Sequence, residues 1–66
     1  DAHDELYGAI YQLPEQQKSA FLLRYYYNMK IREVAQVMSV SESTVKRAIK
    51  SATASLKTLL SPKEQL

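Results

Sequence analysis

Apolar positions along the chain recur at intervals of three and four residues, the spacing of helices and not of strands. Leu6, Ile10 and Leu13 share one face of a first helix. Pro14 ends that helix or opens the next, because proline suits a first helical turn and breaks an interior. A second helix is predicted from about Glu15 to Tyr27, with Ala20, Phe21 and Leu23 or Arg24 straddling its inner side. Asn28 tolerates left-handed backbone and closes it. Ile31, Val34, Ala35 and Met38 then mark a short third helix of about two turns. Ser41 is a favoured N-cap for a fourth helix, in which Val45, Ala48, Ile49, Ala52, Leu56 and Leu59 continue at helical spacing. That helix runs to Leu60, where Ser61-Pro62 stops it and leaves residues 61–66 as a frayed tail. The fold class predicted is all-α: a four-helix domain containing a helix-turn-helix with a long C-terminal recognition helix.

The helix-turn-helix follows from several constraints met together. The first helix of the pair needs a small residue where the second crosses it, and Ala35 provides one. The turn needs a residue tolerant of positive φ four positions later, usually glycine, and here Ser39 stands there. Val34, Met38, Val40, Val45 and Ala48 are the apolar plugs the inside of the turn requires. Ser39 is the one misfit, since left-handed backbone costs a non-glycine residue about 1–2 kcal/mol.

Sixty-six residues make one small domain, 1–66, near the lower limit for a chain that folds alone. The chain has no cysteine, hence no disulfide framework and no Cys/His zinc site. No apolar run approaches the roughly 18 residues of a membrane span, and no secretory signal is present. The absence of cysteine is compatible with the cytoplasm, at the bacterial nucleoid, which is the expected location. The abrupt start without methionine reads as a domain excised from a longer protein. His3 stands alone near one end and is expected to be solvated, neither ligand nor catalyst. With scattered carboxylates and no glycine-rich phosphate loop, the chain is not expected to be an enzyme, to hold a metal or cofactor, or to take a small-molecule substrate.

Charge changes the picture for the C-terminal half. Residues 1–38 carry five acids against four bases, a net −1, whereas residues 39–66 carry five bases against two acids, a net +3. The stretch "SVSESTVKRAIK", residues 39–50, crowds hydroxyls at the start of the fourth helix, where stability alone favours carboxylates, and then turns basic. No acid occurs from Thr44 to Lys63. A recognition helix enters a groove N-terminus first, and its open N–H groups and dipole favour phosphate there. Ser41, Ser43 and Thr44 can cap the helix and donate to the DNA backbone, while Lys46, Arg47 and Lys50 project toward base edges. Arg47 is the best candidate for a bidentate guanine contact, its fork matching O6 and N7.

"LPE" at 13–15, "FLLRYYYNM" at 21–29, "REVAQVM" at 32–38, "TVK" at 44–46 and Ala52 together resemble the C-terminal promoter-recognition domain, region 4, of sigma-70 family factors. The likeness is greatest to the extracytoplasmic-function type and covers about two thirds of the chain. It implies sequence-specific binding to the minus-35 promoter element in double-stranded DNA and docking on the β-subunit flap of RNA polymerase, with an anti-sigma factor as a further partner. Carried across by position, base-reading roles fall on Lys46, Arg47, Lys50 and Ser51, and backbone contacts on Arg24, Ile31 or Arg32, and Thr44. The family often has arginine where this chain has Ala48, Ser51 and Thr53, so weaker autonomous DNA binding is expected.

Two other readings compete. A LuxR-type response-regulator domain also uses four helices and a "TVK", and a helix-turn-helix that mainly binds protein partners suits the reduced basicity. Arg24 faces either phosphate or an acid. Tyr25, Tyr26 and Tyr27 point about 100° apart on a helix, so one or two are expected on the core and a third at the surface.

Overall fold

The structure, a computed structural model, describes the backbone of residues 2–60 and the side chains of residues 5–60. Four helices follow in order: α1 (Ala2–Tyr11), α2 (Glu15–Tyr25), α3 (Ile31–Met38) and α4 (Glu42–Leu60). The described residues include no strand. The expectations for the His3 side chain and for residues 61–66 lie outside the described residues. Among those described, no helix is long and apolar enough to cross a membrane.

The helix ends follow from local chemistry. After α1 the chain tightens, Gln12 N–H donating to Ala9 O at 3.1 Å and Leu13 N–H to Ile10 O at 3.1 Å. Pro14 then takes the N-cap of α2 with φ −55° and ψ 150°, losing nothing by its missing N–H at a position where no helical bond is due. α2 stops at Tyr25, two residues before the predicted Tyr27, because Tyr27 N–H reaches back five residues to Leu22 O at 3.1 Å and ends the regular ladder. Asn28, at φ 58°, then turns the chain toward α3. At the N-cap of α3, Glu33 Oε1 accepts from Lys30 N–H at 2.8 Å, the return half of a capping box. α3 ends in a Schellman turn: Ser39 is left-handed at φ 60° and ψ 43°, Val40 N–H donates to Ala35 O at 3.0 Å, and Ser39 N–H to Gln36 O at 3.3 Å.

α4 is the spine on which α1, α2 and α3 all pack. Its N-terminal half contributes Val45 and Ala48 to a core with Ala20, Val34 and Ala35, around which Leu23, Ile31, Met38 and Val40 close. Its C-terminal half contributes Ala52 and Leu56 to a second core with Ala9, Ile10 and Leu13. α2 serves both, Phe21 and Leu22 packing on the second core and Leu23 on the first. The small residues Ala20 and Ala52, fully buried, let helices approach where a larger side chain would hold them apart. The predicted plugs of the helix-turn-helix are in place, Val34, Val45 and Ala48 buried and Met38 and Val40 half-buried against them.

None of the three consecutive tyrosines reaches a core, contrary to the expectation for one or two of them. The apolar contacts of α2 are taken by Ala20, Phe21, Leu22 and Leu23, and the tyrosines follow where the helix is ending. Tyr25 leans on Phe21 with ring centroids 4.9 Å apart, and Tyr26 on Tyr7 at 5.6 Å. The Tyr26 hydroxyl titrates above the ordinary tyrosine range, first because the surrounding protein desolvates it and then because of the adjoining Tyr7.

Candidate nucleic-acid interface

The tip of α4 is built by its cap. Ser41 Oγ accepts from Thr44 N–H at 3.1 Å, and Ser41 O accepts from Val45 N–H at 3.1 Å. The Ser41 and Thr44 hydroxyls lie 2.9 Å apart, so one O–H closes that pair and the other is free to donate outward. Ser43 is exposed between them. The N–H groups of Glu42 and Ser43 precede the first helical bond and stay open, as the first turn of any helix requires. Hydroxyl, open amide and dipole thus converge on one end of α4, the arrangement that takes phosphate.

Behind the tip, Lys46, Arg47 and Lys50 are exposed, and none has a carboxylate within 4 Å among the described residues; the ion pair there is Lys18 with Glu15 at 3.4 Å. At about 100° per residue, Ser43, Lys46, Arg47 and Lys50 occupy an arc of roughly 100° opposite Val45, Ala48 and Ala52. Lys50 stands about 6 Å behind Lys46 along the axis. Ser51 is also exposed but lies some 40° outside that arc. The structure therefore brings three of the four predicted base-reading residues onto one face and sets Ser51 at its margin.

The other predicted backbone contacts cluster around the start of α3. Arg32 is exposed, whereas the Ile31 side chain packs on the core, so a phosphate contact at Ile31 falls to its backbone N–H. Arg24 is half-buried and its Nη1 donates to Met29 O at 2.8 Å, with the Tyr25 ring 5.9 Å away. Within the chain its partner is this backbone carbonyl and not an acid, because the left-handed Asn28 turns the chain so that the Met29 carbonyl meets the guanidinium. Four guanidinium donors remain for other contacts.

Two sequence-based expectations need correcting. The start of α4 is not free of carboxylates: Glu42 is its first residue and is exposed. The signal is in the sequence, a glutamate directly after the N-cap serine. Ala48 does not subtract from the contact surface, since it is 7% exposed and packs in the core; a departure from arginine there leaves the outer face as basic as before. Lys30, exposed beside Arg32 at the N-cap of α3, was not singled out and belongs to the same cationic end.

An open cleft lies between α2 and the turn after α3, lined by Leu23, Val37, Met38 and Val40 and edged by Glu15. Val37 there is 58% exposed.

Residues 3–56 match the family described as Sigma-70, region 4. The chain matches no curated protein and no solved structure. With that match over most of its length, the chain belongs to the sigma-70 region 4 family, a DNA-binding helix-turn-helix module of RNA polymerase sigma factors and not a catalytic family.

Proposed function

We propose that this domain binds the minus-35 element of promoter DNA by inserting the N-terminal half of α4 into the major groove, as part of an extracytoplasmic-function type sigma factor acting in the cytoplasm. The observation that carries the reading is the exposed and unneutralised face of Lys46, Arg47 and Lys50 directly behind a capped helix tip. Arg47 reads guanine, Lys46 and Lys50 reach base edges and flanking phosphates, and Ser51 contributes at the margin. Ser41, Ser43 and Thr44 donate to one stretch of DNA backbone, and Arg32 with the Ile31 amide, and Arg24 behind them, to another. On the polymerase the domain docks on the β-subunit flap, and an anti-sigma factor competes for it. The exposed apolar cleft at Leu23, Val37 and Val40 supports a protein partner.

Salt titration of duplex binding tests this. Each phosphate contact contributes about −0.9 to the slope of log K against log salt. Lys46→Ala and Lys50→Ala are expected to flatten the slope by up to about one unit each, whereas Arg47→Ala relaxes base preference at one position by about 1–3 kcal/mol. Unchanged slopes in both lysine variants would refute the proposed geometry.

A second reading, a module that mainly binds proteins, is favoured by that cleft together with the acid at the α4 tip. It predicts no detectable duplex binding at low salt while RNA polymerase binding persists. The match to sigma-70 region 4 leaves the response-regulator reading with no observation in its favour.

A further inference from the structure

We propose that Glu42 reads a base, its carboxylate accepting from the exocyclic amino group of a cytosine and so setting sequence preference at one position of the bound element. The inference rests on the reading that α4 enters the groove N-terminus first.

Glu42 is the first residue of α4 and is exposed. The cap beside it is closed without it, by Ser41 Oγ with the Thr44 N–H and hydroxyl. Lys46, four residues on and the favourable partner for a glutamate at that spacing, lies beyond 4 Å and stays exposed. Among the described residues, the carboxylate therefore stands at the tip with neither a cation nor a hydrogen-bond donor upon it.

In free solution such an acid stabilises the helix dipole. Against a duplex it meets a different constraint. Phosphate repels it, and so do the acceptor edges of guanine (N7 and O6) and thymine (O4). Cytosine N4 presents a donor with no adjoining acceptor, whereas adenine sets N7 beside its amino group, a pattern that suits an amide better than a carboxylate. A glutamate at the leading end of a groove-entering helix is thus tolerated where cytosine faces it and penalised elsewhere. Arg47, five residues along the helix, addresses a different base pair.

The test is binding of the 66-residue chain, at about 50 mM salt, to duplexes substituted one position at a time across the bound segment. Cytosine is expected to be preferred over thymine at one position by about 5- to 150-fold. Glu42→Ala should abolish that preference and leave the other positions unchanged, and Glu42→Gln should move it toward adenine. Arg47→Ala should alter a different position. If both Glu42 variants bind every duplex more tightly by the same factor, with all preferences intact, the residue is only a repulsive charge and the inference falls. If the unsubstituted chain shows no sequence-dependent binding, the groove-entry reading falls with it, a result seen before any substitution is made.

Discussion

Ser39 shows at the scale of one residue how a sequence pattern becomes a testable energy. It holds φ 60° and ψ 43° because the Schellman turn joining α3 to α4 needs a left-handed residue there, and its side chain makes that conformation cost about 1–2 kcal/mol. Glycine removes the cost but brings greater freedom to the unfolded chain, worth roughly 0.5–1 kcal/mol against it. The expected net effect of Ser39→Gly is a stabilisation of about 0.5–1 kcal/mol, seen as a rise of a few degrees in melting temperature by circular dichroism. An unchanged or lower value would mean that the serine is not strained there. The left-handed serine was legible because spacing from Ala35 demands it, whatever side chain occupies the place. Arg24 was not legible in the same way. Its partner, the Met29 carbonyl, is set by the path of the chain after Asn28, and no pattern of side chains encodes where a backbone oxygen will point.

At the scale of elements, the periodic apolar residues placed α3 and α4 with the bounds observed, since each presents one continuous stripe to a neighbour. α2 was read less well for a physical reason. It lies between two cores, with Phe21 and Leu22 on one and Leu23 on the other, so no single stripe describes its inner side and periodicity alone does not mark Leu22. The division of the interior also predicts which substitutions spare the proposed DNA face. Ile10 is 1% exposed in the core shared by α1 and the C-terminal half of α4, away from Val45 and Ala48. Ile10→Ala should cost about 2–5 kcal/mol, a large share of the total for a domain whose size allows roughly 3–10 kcal/mol. At a temperature where the variant is still folded, its base preferences should match those of the unsubstituted chain. A shift in preference, measured on the same set of duplexes, would show that the second core sets the orientation of the α4 tip as well as its stability.

Across the whole molecule, stability and recognition are divided along one rod. α4 is buried on one side over much of its length, yet the cations proposed for the groove lie within little more than its first two turns. The net charge of +2 cannot supply strong nonspecific attraction, and the few free cations at the tip and at the start of α3 limit the phosphates that one domain neutralises. About three such contacts give a salt slope near −3 and place a single copy in the range of about 10⁻⁴–10⁻⁶ M for nonspecific duplex. Strong occupancy of a site then has to come from a second, linked contact, not from more contacts by this domain. Two copies of the chain joined by a flexible linker, on a duplex with two sites the linker can span, should bind about 10²–10⁴-fold more tightly than one copy on one site. The salt slope should roughly double while the preference at each position stays the same, because linkage raises local concentration without altering the interface. Measured by fluorescence anisotropy, a single copy that already binds at nanomolar concentration would instead require contacts beyond the α4 tip and the start of α3. A linked pair no tighter than one copy would mean that the two tips cannot reach their grooves together, and that the approach of α4 to DNA differs from N-terminus-first entry.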